Sequence, residues 1–411
     1  MGFTAEAWPE KNKQTPDACS LMPEIAIVAD DLTGAADASA QFVRAGYRTA
    51  VVFYGEAAPP ADVDAVSFDT DSRNMAAGFA AKRVVDVARE VRGARVVYKK
   101  LDSTLRGNVA AELSAAFRAS GRERAIVAPA FPEAGRTTVR GTQLVRGVPV
   151  NETEMRDDPQ TPVREAHVPT LLADAFSSVG TLGAEDLVDP ERVSLVLDEN
   201  ECVIADAERD SDLEALVRAV PDPARVLWAG SAGLAYAIGS VYTGSRAGDV
   251  GERRAPARPV LVVVGSLSGV AREQVRRLVE EYGDVAVEAG GDDAVAAARG
   301  ALSGATCAVL RSPGEQNASG EAVVETLAGV VGHLSEERLF GGLIMTGGAT
   351  AVAVARRLGA TGIELQGEVE AGVPVGALIG PTPYPVVTKA GGFGKPDTLV
   401  GAVQALLRGG R

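Results

Sequence analysis

Two adjacent aspartates, Asp30 and Asp31, lie at the end of an apolar segment, in the run VADDLTGAADA at residues 28–38. The continuous apolar residues 25–29 predict a strand that is covered on both faces, and the small residues after Thr33 predict a helix. Ligands of open α/β sheets bind where such a strand ends and a helix begins. Two neighbouring carboxylates repel each other unless a cation, a metal or a substrate hydroxyl relieves the repulsion. The pair therefore predicts a ligand site.

Helix capping is the alternative interpretation of Asp31 or Thr33, because both residue types are favoured N-caps. Capping by one of them leaves the second acid, Asp30, unexplained. A dinucleotide-binding fold would place the pattern G-x-G-x-x-G at this first turn, and the pattern is absent. The turn therefore argues against a Rossmann-type cofactor site.

Two more polar clusters follow predicted strands in the first half of the chain. The run KKLDSTLRGN holds Lys99, Lys100, Asp102, Ser103, Thr104, Arg106, Gly107 and Asn108, and the run FDTDSRN holds Asp69, Asp71, Ser72 and Arg73. Arginine binds a carboxylate through two parallel hydrogen bonds, whereas aspartate and serine bind hydroxyls. Because the carboxyl ends of parallel strands meet at one edge of a sheet, these clusters predict one site for a ligand with a carboxylate and hydroxyls. The alternatives are a solvated loop with Asn108 as N-cap, and an Arg73 that pairs only with Asp71.

Three glycine-rich turns follow predicted strands in the second half of the chain. They are residues 265–269 (GSLSG), 346–350 (TGGAT) and 389–395 (KAGGFGK). Glycine lets backbone amides approach an anion closely, and a helix N-terminus attracts negative charge. Three such turns in one domain are typical of a phosphate cradle for a nucleotide. The last turn is not a P-loop, because Lys389 stands where that motif needs glycine and Pro396 stands where it needs a hydroxyl.

A hydroxyl-binding domain that faces a phosphate-binding domain is the arrangement expected of a small-molecule kinase, in which positioning and charge neutralisation supply most of the rate. One aspartate would accept the proton of the hydroxyl, and Mg²⁺ would bridge the phosphates of ATP. Two alternatives stay open at this point. One is an oxidoreductase that holds NAD in the glycine turns, and the other is a non-catalytic protein that binds a sugar acid.

Composition and charge limit the range of functions. The chain has 411 residues, of which 46% are hydrophobic and 23% charged, as in a soluble globular protein of two or three domains. A net charge of -14 argues against a nucleic-acid partner. Three scattered cysteines predict a reducing compartment, and two histidines argue against a multi-histidine metal site. No apolar run resembles a signal peptide or a membrane span, so the sequence predicts a cytoplasmic protein without a membrane partner.

The alternation of strand-like and helix-like runs predicts an α/β fold. We expect two domains, each a mostly parallel doubly wound sheet, with the active site in the cleft between them. The predicted boundaries are a loose extension at 1–22, a first domain at 23–241, a Gly/Ser/Arg/Pro-rich linker at 242–258 and a second domain at 259–411. Short β-like pieces around residues 136–150 predict a hairpin or flap beside the first sheet.

With these motifs in place, the chain resembles the four-carbon acid sugar kinase family from residue 24 to residue 407. The resemblance is carried by IAIVADDLTGAADA, TDSR, KKLDSTLRGN, PAFPEAGR, VVGSLSG, MTGGAT and VTKAGGFGKPDTL, in this order. It implies an N-terminal sugar-acid-binding domain, a C-terminal nucleotide-binding domain, and ATP-dependent phosphorylation of the terminal hydroxyl of D-threonate, D-erythronate or a 3-oxo-tetronate. A homodimer is a further expectation.

The resemblance also implies roles for individual residues. Asp31 is the expected base, in preference to Asp30 and Asp102. The expected sugar-acid contacts are Asp30, Arg73, Lys100, Asp102, Ser103, Thr104 and Arg106. The expected nucleotide contacts are Ser266, Gly347, Gly348, Ala349, Thr350, Gly391 and Gly392. The family's 3-oxo-tetronate kinases tend to have SGNFG and GGET where this chain has AGGFG and GGAT, which favours threonate or erythronate over a 3-oxo-tetronate.

Overall fold

The computed structural model describes residues 22–56, 60, 62–220, 222–242, 256–283, 285–290, 293–313 and 320–409. The predicted N-terminal extension, apart from its last residue, and most of the predicted linker lie outside the described residues. Contacts divide the chain into two units, Met1–Ala45 with Phe53–Ser245 and Gly46–Val52 with Arg246–Arg411. The segment Gly46–Val52 thus groups with the second unit, although it falls inside the predicted first domain.

The strands are short and mostly apolar. They are β1 (Ile25–Ala29), β2 (Thr49–Phe53), β3 (Ala65–Asp69), β4 (Val96–Lys100), β5 (Arg124–Ala128), β6 (Arg136–Val139), β7 (Thr142–Val145), β8 (Val148–Pro149), β9 (Val179–Leu182), β10 (Cys202–Ala205), β11 (Val226–Gly230), β12 (Val260–Val264), β13 (Ala286–Glu288), β14 (Cys307–Arg311), β15 (Gly342–Thr346), β16 (Gly362–Glu370), β17 (Val373–Ile379) and β18 (Pro385–Lys389).

The α-helices alternate with the strands over most of the chain. They are α1 (Leu32–Arg44), α2 (Ala77–Glu90), α3 (Val109–Ser120), α4 (Val168–Leu172), α5 (Pro190–Glu199), α6 (Asp210–Ala219), α7 (Ala232–Tyr242), α8 (Gly269–Tyr282), α9 (Ala294–Leu302), α10 (Gly320–Glu336), α11 (Gly348–Arg357) and α12 (Thr398–Arg408). Short 3-10 helices occupy Pro132–Ala134, Val150–Glu152, Glu154–Asp157, Ala184–Val188 and Pro223–Arg225.

The first unit contains a parallel sheet in the order β3-β1-β4-β11-β5-β10-β9. All five residues of β1, β3, β4 and β11 are buried, as strands should be when helices cover both faces of the sheet. Helix α2 packs on α3, whereas α1 and α6 both pack on α7. This confirms the predicted doubly wound arrangement.

The strand order of the first unit places a topological switch point at β1. The chain runs from β1 to β3 on one side and then to β4 on the other side of β1. Crossover connections leave a crevice at the carboxyl ends of strands at such a point, and ligands of doubly wound sheets bind there. The polar residues predicted from the sequence follow β1, β3 and β4.

The second unit contains parallel strands in the order β13-β14-β12-β15-β18. Its switch point lies between β12 and β15, which carry the first two glycine turns. Beyond β18, the sheet continues with the antiparallel strands β17, β16 and β2. Its apolar core includes Val260, Val262, Ile344, Val387 and Leu399.

A small antiparallel sheet, β6-β7-β8, forms where the sequence predicts a hairpin. Arg140, Gly141, Arg146 and Gly147 form its two turns, all with positive φ between 50° and 83°. Within the described part of the chain, none of the helices has the length and apolar character that crossing a membrane requires.

Candidate active site

The polar turns of the first unit meet at the ends of β1, β3 and β4. Thr70 donates its backbone N–H to the carbonyl of Ala29, and Ser72 donates its own to that of Asp30, both at 2.8 Å. The turn after β4 contacts Asp30 through Gly107, since a Cβ at this position would lie 3.0 Å from Asp30 Oδ2. The φ of Gly107, +91°, is one that glycine adopts readily. The three sequence clusters are therefore one structural cluster.

Arg73 holds both aspartates of the first turn. Its Nε and Nη2 donate to Asp30 at 2.8 and 2.9 Å, and its Nη1 and Nη2 donate to Asp31 at 2.6 and 2.8 Å. This guanidinium offsets the repulsion between the adjacent carboxylates. Arg73 does not pair with Asp71, which lies 3.6 Å from Arg83. Within the described part of the chain, four of its five N–H groups are thus directed to aspartates, which leaves one for a ligand.

The two aspartates differ in their surroundings. The side chain of Asp31 is 23% exposed and that of Asp30 is 6% exposed. Asp31 also caps α1, since it accepts a hydrogen bond from Gly34 N at 2.8 Å. Burial acts to raise the pKa of Asp30, but Arg73 lowers it below its ordinary value. Burial raises the pKa of Asp31 despite Arg73, and the charge of Asp30 adds to the rise.

Asp102 organises the turn after β4. Its carboxylate accepts hydrogen bonds from the hydroxyl and the N–H of Thr104, and from Nε and Nη2 of Arg106 at 3.0 and 3.1 Å. Burial acts to raise its pKa, but Arg106 and then Arg73 bring the pKa of Asp102 well below its ordinary value. Arg106 also lies 3.8 Å from Asp158. Asp102 is therefore an ionised acceptor and a weak base.

Lys100 and Ser103 keep hydrogen-bonding capacity within the described residues. The ammonium of Lys100 is buried and donates to Leu101 O at 2.9 Å, which leaves two of its three N–H groups. The hydroxyl of Ser103 makes no hydrogen bond to any described residue, while its carbonyl accepts from Gln143 Nε2 at 2.7 Å. Gln143 belongs to β7, so this contact ties the small sheet to the polar turn.

Glu112, in the first turn of α3, is a residue that sequence reasoning missed. It forms a buried ion pair with Lys99 at 2.9 Å and accepts a hydrogen bond from Ser72 Oγ at 2.8 Å. Ser72 Oγ in turn lies 2.7 Å from Thr70 Oγ1. The network fixes the turn after β3 against β4. A glutamate one helical turn after Asn108, on a helix that follows a polar turn, was the available signal.

Asn108 is the N-cap residue of α3, but its side chain makes no capping hydrogen bond. Its Nδ2 donates instead to the carbonyl of Met75 at 2.9 Å and to that of Ser72 at 3.4 Å. The side chain therefore joins two turns. A solvated loop capped by Asn108 does not describe this segment, because Thr104 and Leu105 are buried and none of residues 101–108 is exposed.

The three glycine turns of the second unit follow neighbouring strands and contact one another. Gly347 donates its N–H to the carbonyl of Lys389 at 2.9 Å, which joins the second turn to the third. The hydroxyl of Ser268 donates to Gly391 O at 2.9 Å, which joins the first turn to the third. The turns therefore form one surface at the carboxyl edge of β12, β15 and β18.

The glycines allow this close approach. A Cβ at Gly391 would lie 2.5 Å from the Cβ of Ser266, and a Cβ at Gly265 would lie 3.0 Å from the Cβ of Thr350. Gly347 is the N-cap of α11, has a φ of +96° and provides no side-chain cap. The first amides of α11, at Gly348, Ala349 and Thr350, therefore suit an anion.

Lys389 and Thr346 add polar groups at the same edge. Lys389 is 1% exposed, and its Nζ reaches Gly391 O at 3.4 Å. Burial lowers the pKa of Lys389 to about 8, against the opposing effect of Glu370. The buried hydroxyl of Thr346 has no partner among the described residues. A negatively charged ligand would satisfy both groups.

Comparisons with known proteins agree with this division into two sites. Residues 25–238 match the family described as the sugar-binding N-terminal domain, and residues 261–399 match the one described as the nucleotide-binding C-terminal domain. A D-threonate kinase from Bordetella bronchiseptica is 37% identical over 410 residues, which cover 93% of this chain and 98% of that protein. The chain belongs to the four-carbon acid sugar kinase family.

Other members of the family are similar over nearly the same length. A 3-oxo-tetronate kinase from Methylobacterium radiotolerans is 33% identical and covers 90% of this chain and 96% of its own length. A solved structure from Bordetella bronchiseptica, described as a domain-swapped dimer with bound citrate, is 36% identical, covers 94% of this chain and 98% of its own, and has a TM-score of 0.50. As a member of this family the protein is a sugar-acid kinase that uses ATP.

The structure brings the predicted site residues of this kinase together in two groups. The first group lies at the ends of β1, β3 and β4 in the first unit, and consists of Asp30, Asp31, Arg73, Lys100, Asp102, Ser103, Thr104 and Arg106. The second lies at the ends of β12, β15 and β18 in the second unit, and consists of Ser266, Gly347, Gly348, Ala349, Thr350, Gly391 and Gly392. Their individual roles stay predictions.

Proposed function

We propose that this kinase transfers the γ-phosphoryl group of ATP to the terminal, 4-hydroxyl group of D-threonate or D-erythronate. The carrying observation is the first-unit cluster, which brings the cations Lys100 and Arg106 together with Asp31 and Asp102 at the ends of β1 and β4. Cations suit the carboxylate of a sugar acid, and carboxylates and hydroxyl side chains suit its hydroxyls. A cluster with charges of both signs and few apolar groups suits a small polyhydroxy acid better than an apolar substrate.

Asp31 is the proposed base. It is the more exposed of the two adjacent aspartates, and burial raises its pKa above the ordinary value, which makes it the stronger base of the two. Asp30 and Asp102 are less suitable, since arginine lowers the pKa of both. In this account the acid is oriented by Asp30, Arg73, Lys100, Asp102, Ser103, Thr104 and Arg106. Asp31 takes the proton of the hydroxyl as its oxygen bonds to the γ-phosphorus of ATP, and the bond from that phosphorus to the leaving ADP breaks.

The nucleotide is proposed to lie on the glycine turns of the second unit. The amides at the start of α11 and around Gly391 and Gly392 would bind its phosphates, with Ser266 beside them. Mg²⁺ would neutralise the charge of those phosphates. No cluster of three or more carboxylate, histidine or cysteine ligands occurs among the described residues, and Arg73 occupies Asp30 and Asp31. We therefore expect the metal to be bound mainly through ATP.

The substrate assignment rests on two turn sequences. This chain has GGAT at residues 347–350 and AGGFG at 390–394, whereas the family's 3-oxo-tetronate kinases tend to have GGET and SGNFG. The Bordetella relative at 37% identity is a D-threonate kinase. A 3-oxo-tetronate 4-kinase is the second candidate, favoured by the Methylobacterium relative. A non-catalytic sugar-acid-binding protein would retain the first site without turnover.

A substrate panel tests this proposal. The purified protein, with ATP and Mg²⁺, is assayed for ADP release with D- and L-threonate, D- and L-erythronate and the 3-oxo-tetronates. We expect the highest kcat/KM for D-threonate or D-erythronate. Preference for a 3-oxo-tetronate would move the assignment to the second candidate, and binding of an acid without ADP release would contradict the kinase reaction.

We also propose a homodimer in the cytoplasm. The support for a dimer is that the related Bordetella structure is described as one. The support for the cytoplasm is the scattered cysteines, of which the described Cys202 and Cys307 are free and buried.

A further inference from the structure

Two polar atoms beside the first-unit cluster are buried without a hydrogen-bond partner among the described residues. They are Asp37 Oδ1 and Arg136 Nε. Buried polar atoms in native proteins are nearly always satisfied, so an open acceptor and an open donor near one cluster need an explanation. Neither residue has a role in the mechanism proposed above.

Asp37 lies on the side of α1 that contacts the cluster. It comes three residues after Gly34, so the two share one helix face. A Cβ at Gly34 would lie 3.2 Å from Lys100 Nζ and 2.7 Å from Asp31 Oδ1, so this face packs directly on both groups. Burial raises the pKa of Asp37 to about 6. Lys100 opposes this rise, whereas Asp31 and Asp102 add to it, so all three lie within electrostatic reach.

Arg136 approaches the cluster from the small sheet, where it begins β6. Its Nη1 donates to Ala134 O at 2.6 Å, and its Nε is the open donor. Burial lowers the pKa of Arg136, and the carboxylates of Asp102 and Asp37 oppose that shift. The charges of Asp102 and Asp37 therefore act on Arg136, although no ion pair joins it to either of them within the described residues.

Arg136 differs from Arg73 and Arg106 in how many of its N–H groups already bind groups of the protein. Arg73 directs four N–H groups to Asp30 and Asp31. Arg106 directs Nε and Nη2 to Asp102. Both were predicted from the sequence as carboxylate anchors, yet both already bind carboxylates of the protein. The guanidinium of Arg136 donates only one N–H to a described residue, so it has more unpaired N–H groups than that of Arg73 or Arg106.

We propose that Arg136 binds the carboxylate of the sugar acid and that Asp37 accepts a hydrogen bond from one of its hydroxyls. The inference rests on the proposed function, because it assumes that the first unit binds a sugar acid. Arg136 and Asp37 are each partly exposed, so a ligand with a carboxylate and a hydroxyl can reach both side chains and use their unpaired hydrogen-bonding capacity. In this arrangement Arg136 anchors the carboxylate of the acid, while Arg73 and Arg106 orient the acid through the aspartates that they hold.

Substrate discrimination tests Arg136. KM is measured for D-threonate and for its uncharged amide, D-threonamide, in the wild type and in Arg136→Gln. We expect the variant to raise KM for threonate about 10- to 100-fold, the factor for one lost hydrogen bond to a charged group, and to affect the amide much less. Arg156→Gln, at an exposed arginine on the segment that follows the small sheet, is the matched control and should leave both values unchanged. An equal effect on acid and amide would overturn the role of Arg136.

The pH dependence tests Asp37. Asp37→Asn preserves size but removes the charge that accepts the hydroxyl. We expect it to raise KM for the acid about tenfold or more with KM for ATP unchanged, and to remove an inflection near pH 6 from the profile of kcat/KM for the acid. Ser39→Ala, which removes another buried unpartnered oxygen of α1, is the control and should change neither quantity. Wild-type KM and an unchanged pH profile in Asp37→Asn would overturn the role of Asp37.

Direct binding separates this inference from the proposed function. Calorimetric titration of the wild type with D-threonate and D-erythronate should show saturable binding. If neither acid binds or is phosphorylated, the proposed function fails. If the wild type binds an acid and both variants bind it equally well, only the inference about Arg136 and Asp37 fails. If Asp37→Asn does not fold, the discrimination measured with Arg136→Gln decides the inference.

Discussion

In the first-unit cluster, one arginine holds two aspartates together: Arg73 binds both Asp30 and Asp31. A single planar guanidinium donates to both carboxylates at 2.6 to 2.9 Å, so it offsets the repulsion between them. Removing one partner of a buried ion pair typically costs about 3–5 kcal/mol, because the other charge is left uncompensated. Removing Lys99 or Glu112 alone should have a similar cost, because these two residues also form a buried ion pair.

Substitution of the proposed base should separate chemistry from folding. In Asp31→Asn, we expect kcat to fall about 10²- to 10⁴-fold with KM for ATP nearly unchanged. The helix cap should survive, because asparagine is as good an N-cap as aspartate. Steady-state kinetics and a thermal melt measure the two effects. Asp189→Asn, the same change at the N-cap of α5, is the control and should keep full activity. Near-normal kcat in Asp31→Asn would refute the base assignment.

The stability of the protein should report the buried charge of Asp37. Because the pKa of Asp37 is about 6 in the folded state against 3.8 unperturbed, the folded state binds more protons between these values. This contribution therefore favours folding at low pH and is lost as the pH rises from about 4 to about 6. The loss amounts to at most about 3 kcal/mol.

Denaturant unfolding of the wild type and Asp37→Asn at pH 4.5 and pH 7.5 measures this effect. We expect the variant to gain about 1–3 kcal/mol in relative stability between the two pH values. Such a gain identifies a charge that folding does not favour, as is common at functional sites. A difference that does not depend on pH would contradict the assignment.

At the scale of elements, both candidate sites lie at topological switch points. The strands β1 and β4 in one unit, and β12 and β15 in the other, come from apolar runs that the sequence shows clearly. The sequence therefore predicts correctly that the polar and glycine-rich residues follow the carboxyl ends of these strands. The hairpin predicted near residues 136–150 is the sheet β6-β7-β8 in the structure. Strong, continuous apolar patterns made this part of the fold predictable.

The antiparallel strands β16 and β17 were not predicted, and their residues explain why. Gly362, Gly367, Pro374 and Gly376 read as turn signals in a sequence. Gly376 is needed in the strand, because a Cβ there would lie 3.1 Å from Leu365 Cα. The strands also pair through register shifts near Leu365 and Glu368, which break the alternation of apolar and polar residues.

The contacts within the site were less predictable than its position. Asp37 and Arg136 lie inside runs that the sequence analysis quotes, and Glu112 lies four residues after another, yet the contribution of each depends on which way its helix or strand turns. The pairing of Arg73 with both aspartates likewise depends on the turn after β3. Spacing along the chain identifies the edge of the sheet, whereas side-chain partners follow from packing.

A glycine substitution tests the contact between the nucleotide turns. In Gly391→Ala, the new Cβ would lie 2.5 Å from the Cβ of Ser266, so the first and third turns must move apart. We expect KM for ATP to rise about 10- to 100-fold, because a small displacement of binding groups can cost a factor of this size. Binding of the acid should stay unchanged. Gly329→Ala, in α10 where the new Cβ meets nothing within 4 Å, is the control and should have normal kinetics. Equal effects of both substitutions would contradict the proposed nucleotide surface.

At the scale of the whole molecule, the two binding tasks belong to different parts of the chain. The sugar-binding domain matches residues 25–238, and the nucleotide-binding domain matches residues 261–399. Variants of the first group should therefore change the kinetic constants of the acid, and variants of the second group those of ATP. The segment 46–52, which groups with the second unit, is the exception to a simple division along the sequence.

The proposed dimer gives a prediction about mass. Size-exclusion chromatography with light scattering should give twice the mass of one 42.3 kDa chain. The expectation follows from the related Bordetella structure, which is described as a dimer. A monomeric mass across micromolar concentrations would remove the dimer from this account without affecting the kinase reaction.

The most direct test of the account is the identity of the product. The protein is incubated with ATP, Mg²⁺ and D-threonate or D-erythronate, and the mixture is followed by ³¹P NMR. We expect one phosphomonoester, coupled to the protons of the terminal carbon of the acid, to form in equal amount with ADP. Formation of inorganic phosphate alone, or of a phosphate ester at another position, would contradict transfer to the terminal hydroxyl.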